Sequence, residues 1–332
     1  MNRIILIGNG FDLAHGLPTR YEDFINWYWE KRVDSFTGNI SSISEDCKIT
    51  SGNYNCCWNV FAFSLPKYFN KPSSKEVIDY ITNDSKSFEL SFSPFFKNIC
   101  TSIETKGWVD IEKEYYNLLR STIISPDNCN YTVSELNKQL LYIQDLLAQY
   151  LSSVTTDDIK CNAEIQHQIY GNIHKDDICI GQLQVYYDYV DYLIQQDDVY
   201  QRLLCQYGFD GPNRHFKAEE IKRLKKQFSE SSEMEEVYLK DLIIPENIML
   251  LNFNYTEVTD KYGELKVAST NHIHEDLNNP SSMILGYGDE LDEDYKDFLK
   301  QSDNECLRHI KSIKYLESDN YRNLLQFIES AP

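Results

Sequence analysis

His274 closes the segment Thr270-Asn271-His272-Ile273-His274. An imidazole at a strand end beside a ligand crevice serves as a general base near neutral pH. The plainer alternative is a histidine satisfying a loop carbonyl. His272 and His274 share one face of an extended strand, as a metal pair would, but no third ligand stands at a recognisable spacing and no metal is assigned. Asn254 and Thr256 carry hydrogen-bonding side chains suited to a ribose or an amide; turn formation and helix capping are their structural alternatives. Asp12 reads either as an N-cap or as an acceptor for ribose hydroxyls, because its charge would repel a phosphate. Asp289, after Gly286 and Gly288, is placed to close the pocket. Glu290, Asp292, Glu293 and Asp294 beyond it read as a solvated helix start. Asp110 and Glu112 lie two apart and point to different helix faces, which argues against a paired-carboxylate site.

These residues need elements to hold them. The apolar run Ile4-Ile5-Leu6-Ile7 meets Gly8-Asn9-Gly10 without alternation, the pattern of a parallel strand covered on both faces. Gly8 and Gly10 let the backbone turn and approach a ligand closely, as phosphate-binding turns at first strands do. The full dinucleotide fingerprint asks for a third glycine where Leu13 stands, so the pair alone fits an ordinary strand-to-helix turn equally well. Three further segments end in polar or glycine residues: 247–256, 270–274 and 283–289. Apolar runs with such ends are what a parallel sheet shows when its ligand lies at the strand tips. Their convergence favours the functional reading of His274 and of the glycine pair.

Elsewhere, Tyr21 to Trp29 has helical spacing, with Phe24, Ile25 and Tyr28 on one face. Residues 34–60 are rich in Ser, Asn and Thr and read as a loop or an irregular insertion, and 61–107 has no clear period. A helix follows through Leu119. Thr132-Val133-Ser134-Glu135 is a capping box, behind which Val133, Leu136, Leu140, Leu147 and Leu151 trace an apolar stripe. Ile165–Ile169 and Ile178–Ile180 read as short strands; 185–205, 217–240 and 321–329 read as helices.

The 332 residues, 42% hydrophobic and 25% charged, describe a globular chain with ample core. No apolar run approaches the ~20 residues of a membrane span, and Met1-Asn2-Arg3 does not open a signal peptide. Nine cysteines without a CxxC pair fit a reduced cytoplasmic thiol population. A net charge of −20 argues against general nucleic-acid affinity, and Lys222-Arg223-Leu224-Lys225-Lys226 reads as a solvated helix face.

ILIGNGFDLAHGLPT at 5–19, WVDIE at 108–112, LLNFNYTE at 250–257, HIH at 272–274 and ILGYGD at 284–289 together resemble the AbiH family of phage abortive-infection proteins. That family is similar, more distantly, to sirtuin-like NAD-binding domains. The resemblance implies NAD as ligand or substrate, with Gly8 and Gly10 at its phosphate-proximal turn; Asn9, Phe11 and Asp12 in the same stretch are candidate cofactor-binding residues. Gly16, Leu17 and Pro18 match the loop covering the cofactor, and His15 before them is a further candidate binding residue. Asn254 would lie near the nicotinamide ribose and His274 would be the catalytic histidine, with Thr256, Gly286 and Asp289 as further binding residues. Asp12 stands where a small hydroxyl residue is usual, and Glu275 where glycine usually follows the histidine. Related proteins usually continue into another strand with a Gly-His-Ser…Asp motif, so the expectation is a sheet short of one edge element.

The resulting expectation is an α/β, Rossmann-like, mostly parallel sheet of sirtuin-like type. Residues 1–33 plus 241–332 would form a discontinuous nucleotide-binding domain, and 34–240 a mainly helical insertion suited to a lobe, a sensing surface or a homo-oligomer contact. The expected function is an antiphage protein hydrolysing NAD at the nicotinamide–ribose bond. The alternatives are a non-catalytic nucleotide-binding sensor and, less favoured, a nuclease. A phage-derived trigger or a partner defence protein would complete the system.

Overall fold

The computed structural model describes residues 2–36, 41–51, 83, 88–106, 109–154, 159–171, 173, 177–186, 188–189, 245–263, 267–288 and 303–330. The opening apolar run forms β1 (Asn2–Ile7), and the chain turns at Gly8 into a short helix, α1 (Asn9–Ala14). The helix ends in a Schellman motif: Gly16 N–H donates to Leu13 O at 3.0 Å and Leu17 N–H to Asp12 O at 3.1 Å. Gly16 sits at φ 78°, where a Cβ costs about 1–2 kcal/mol, and the turn delivers Leu17 to the core. Next comes α2 (Tyr21–Phe36), which buries Phe24, Ile25, Tyr28 and Trp29 as their spacing predicts.

Residues 34–60, expected as a loop, instead hold β2 (Ser41–Ile43) and β3 (Cys47–Ser51), which join β4 (Phe88–Phe92) in an antiparallel sheet ordered β2-β3-β4. Alternation is the cause: Cys47 and Ile49 are buried while Lys48 is exposed, and Leu90 and Phe92 are half-buried between exposed Glu89 and Ser91. Three helices follow: α3 (Pro94–Lys106), α4 (Ile111–Ile124) and α5 (Val133–Ser153). The Asp110 side chain caps α4 by accepting from Lys113 N–H, and the Thr132–Glu135 capping box opens α5. Along α5 Leu136, Leu140, Leu147 and Leu151 are buried, as the stripe requires.

The expected strand at 165–169 is a helix, α6 (Ala163–Tyr170), capped by Asn162 Oδ1 accepting from Glu164 N–H at 2.8 Å. Ile165 and Ile169 are one helical turn apart, so a helix puts both on one face. Residues 178–180 run into a single 3-10 turn, Ile180–Gln182, with Ile180 exposed, rather than a strand. The helices expected at 185–205 and 217–240 fall almost entirely outside the described residues. The chain returns with β5 (Asn247–Asn252) and β6 (Ala268–His272), then α7 (Asn304–Leu307), α8 (Lys311–Glu317) and α9 (Asp319–Glu329).

The fold is mixed α/β, with a small parallel sheet ordered β1-β5-β6. The register pairs Ile7 with Asn252 and Asn252 with His272, so the three carboxyl tips end level. Strands in a sheet lie about 4.8 Å apart, which confines the residues just past these tips to an edge roughly 10 Å wide. The central strand β5 is buried from Ile248 to Asn252. The edge strand β1 is not covered on both faces as its apolar run implies: Ile4 is 37% and Leu6 71% exposed, while Ile5 and Ile7 pack with α6.

The expected strand at 283–289 does not join the sheet. Its backbone bonds go to separate partners instead of one ladder: Ile284 N–H to His274 O, Gly286 N–H to Glu112 Oε1 and Tyr287 N–H to His309 O. Tyr287 makes an isolated parallel bridge with Ile310. The larger core joins α2 and the inner faces of α3, α4 and α5 to Leu285, Tyr287 and Ile310. No helix among the described residues is long and apolar enough to cross a membrane.

Arg3 fastens β1 to α6. Its Nη1 donates to the carbonyls of Gln168, Ile169 and Gly171 at 3.1, 2.8 and 2.6 Å, placing a cation on a helix C-terminus. Arg3→Met is expected to cost about 1.5–3 kcal/mol in chemical denaturation at neutral pH, the range for hydrogen bonds to a charged group.

Candidate functional site

The level strand tips open onto a cavity of about 200 Å³. Gly8 and Asn9 enter it from the β1–α1 turn, Phe253 to Thr256 from the end of β5, and His274 from two residues past β6. Thr19 and Tyr21 reach it from the start of α2, Glu112 from α4, and Leu147 and Leu151 from α5.

Beneath the cavity, Asp12 is 1% exposed and accepts from Asn254 Nδ2 at 3.1 Å and from Thr256 Oγ1 at 2.7 Å. Burial pushes its carboxyl above the ordinary carboxylate range, and the hydrogen bonds from Thr256 and Asn254 only partly offset this. Asn254 Nδ2 also donates to Gly8 O at 3.1 Å. Two acceptors on one nitrogen fix the carboxamide's orientation and leave Oδ1 without a hydrogen bond among the described residues. Asp12 therefore positions Asn254 and Thr256, while the N-cap place of α1 is taken by Gly8.

Tyr315 lies beside His274, its hydroxyl 2.8 Å from Nε2 and its ring stacked at 3° between planes. Phe253 meets the imidazole edge-on at 5.3 Å. Three aromatic neighbours, Tyr255 being the third, hold one ring orientation. Glu112 is the cavity residue whose importance its sequence spacing hid. Its Oε2 takes Lys311 Nζ at 2.6 Å and its Oε1 takes Gly286 N–H at 3.0 Å. Burial raises its pKa, with Lys311 pulling the other way. Tyr21 shares the cavity and its phenol is pushed far up by burial and by the Glu112 charge, so it stays protonated. Asp110 and Glu112 do diverge, but the relevant partner is Lys311, remote in sequence.

A family model described as bacteriophage abortive infection AbiH matches residues 4–331. The chain belongs to the AbiH family. Membership indicates a role in phage abortive infection. No curated protein and no solved structure matches the chain.

In this AbiH chain the residues expected at the site separate into two groups. Gly8, Asn9, Asp12, Asn254, Thr256 and His274 line the cavity. Gly10, Phe11, His15, Gly16, Pro18 and Gly286 are not among its described lining residues. His15 Nδ1 lies 2.7 Å from Phe11 O and its Nε2 2.6 Å from the Tyr262 hydroxyl, which itself accepts from Asn162 N–H. The Phe11 carbonyl can only accept, so Nδ1 donates to it, and the contacts through Tyr262 tie α1 to the segment before α6. At Gly286 a Cβ would lie 2.0 Å from His309 O, so close backbone approach accounts for the glycine. Asp289 lies outside the described residues. Glu275 takes φ 64°, the conformation glycine adopts most easily, which accounts for the glycine expected after the histidine.

His272 faces Asp260 and Asn252: Nε2 is 3.0 Å from Asp260 Oδ1, and Nδ1 is 3.2 Å from Asn252 Nδ2. No group of three metal-ligating side chains occurs among the described residues. Burial works to lower the His272 pKa, but the Asp260 carboxylate outweighs it and the net shift is upward. A raised histidine pKa stabilises the fold fully below the unfolded value near 6.5 and loses that contribution as pH rises through the folded value. Urea midpoints of wild type and Asp260→Asn, measured from pH 5.5 to 8, should differ most at the acid end and converge toward pH 8. A constant difference across the range would contradict this.

Proposed function

We propose that this AbiH protein binds NAD or a related nucleotide at the strand tips and hydrolyses its nicotinamide–ribose bond. The observation that carries the reading is the meeting of Gly8, Asn254 and His274, three segments distant in sequence, in one cavity at the carboxyl edge of a parallel sheet. Ligands of open α/β sheets occupy that edge. A cavity of about 200 Å³ is below the ~300–1,000 Å³ typical of ligand sites, so it suits the nicotinamide riboside end, with the remaining nucleotide outside over the Gly8-Asn9 turn.

In this mechanism Asn254 Oδ1 accepts a hydrogen bond from a ribose hydroxyl or from the attacking water. The water oxygen bonds to C1′ of the ribose as the C1′–N bond breaks. The bonding pair leaves on the nicotinamide nitrogen, which becomes neutral, and the water's proton passes to His274. Phe253, Tyr255 and Leu151 restrict water around the developing oxocarbenium. Depletion of the cofactor on infection would then be the abortive response.

One observation favours the non-catalytic reading, a nucleotide sensor: the cavity's second carboxylate, Glu112, is already neutralised by Lys311. Nicotinamide release by purified protein, alone and with phage lysate, distinguishes the two. Hydrolysis predicts release by wild type and a fall of about 10²–10⁴-fold in His274→Ala, with Asn254→Ala also impaired and phage protection lost in both. NAD bound tightly and recovered intact would select the sensor, and the absence of both release and binding would reject the nucleotide reading.

A further inference from the structure

His274 lines the first cavity, and the next residue, Glu275, lines a second and larger one of about 490 Å³. The two share a wall. Ile284, which lines the second, donates its N–H to His274 O at 3.0 Å and accepts at its own carbonyl from Tyr255, which lines the first.

The second cavity gathers three kinds of group. Arg308 and Lys314 supply two cations. Their acidic partners, Glu305 at 3.4 Å and Glu317 at 2.8 Å, make solvent-exposed ion pairs of the kind a ligand readily replaces. Glu275 and Glu317 supply two carboxylates, and Met283, Ile284 and Leu285 an apolar wall. Between the cations sits His309, 6% exposed, whose Nε2 is buried with no hydrogen bond among the described residues. A buried polar atom without a partner marks a place where a ligand group would be gained at little competition from water. Burial, then Arg308 and Lys314, push the His309 pKa down to about 4, with Glu305 pulling the other way.

We propose that this second cavity binds a nucleoside monophosphate. The phosphate dianion takes Arg308 and Lys314, matching two cations with two charges. The ribose hydroxyls donate to Glu275 and Glu317, as ribose hydroxyls do to carboxylates in dinucleotide sites. The base lies against Met283, Ile284 and Leu285. The volume falls within the range of small-ligand sites, unlike that of the first cavity. The assignment stands whether or not the first cavity turns over NAD.

The test is calorimetric titration of adenosine 5′-monophosphate into the full chain. Wild type is expected to show one saturable site, weakened about tenfold or more in the double variant Arg308→Gln/Lys314→Gln and unchanged in Asn254→Ala. Adenosine without phosphate should bind wild type as weakly as the monophosphate binds the double variant. Both exchanged side chains are solvent-exposed, and an unchanged thermal midpoint verifies that the variant is folded. The proposal is overturned by absence of saturable binding to wild type. It is equally overturned by binding that Asn254→Ala weakens and the double variant does not, because the nucleotide would then occupy the first cavity.

Discussion

A single buried carboxylate holds the strand tips together. Asp12 leaves the first helical turn after β1 and accepts from Asn254 and Thr256, both beyond the end of β5. Hydrogen bonds to a charged group are worth about 1.5–3 kcal/mol each, and breaking one strands the other partner in a dry interior. The raised pKa of Asp12 records the cost of keeping that group out of water. The arrangement leaves Asn254 with its carbonyl oxygen unspent.

The sheet supplies the second constraint. Because β1, β5 and β6 end in register, each residue just past a tip faces the same edge, and no long loop is needed to bring them there. The covering helices then set the size of the opening. α5 closes one side with Leu147 and Leu151, and α4 contributes Glu112, whose pairing with Lys311 draws in the start of α8. Gly286 belongs to that closure: its N–H goes to Glu112 and its missing Cβ admits His309 O.

Much of this was legible in the sequence where one local rule dominates. β1 and β5 were marked by apolar runs ending in polar residues, and α5 by a capping box followed by a regular stripe; the strand expected at 270–274 lies two residues earlier, at Ala268–His272, which leaves His274 past its end. The antiparallel sheet was obscured because its strands are short and β2 and β3 stand in a Ser- and Asn-rich stretch, although Cys47-Lys48-Ile49 does alternate. The run at 283–285 is apolar because helices cover it, and composition cannot separate that from burial in a sheet. Ile165 and Ile169 fit a helix better than a strand once Asn162 is recognised as a cap. Glu112 was missed because its partner is almost two hundred positions away, and helix spacing describes only neighbours. The match to the AbiH family over residues 4–331 accords with motifs spread along the chain, since the site draws on the first turn, α4 and the segments after β5 and β6.

The central claim is that the level strand tips form a seat for the nicotinamide riboside end of a nucleotide. A crystal structure of the chain soaked in saturating NAD addresses it most directly. The account predicts a nicotinamide riboside moiety in the cavity between Gly8 and His274, with a ribose hydroxyl within hydrogen-bond distance of Asn254 Oδ1. NAD seated elsewhere on the chain, or no bound nucleotide at saturation, would contradict it.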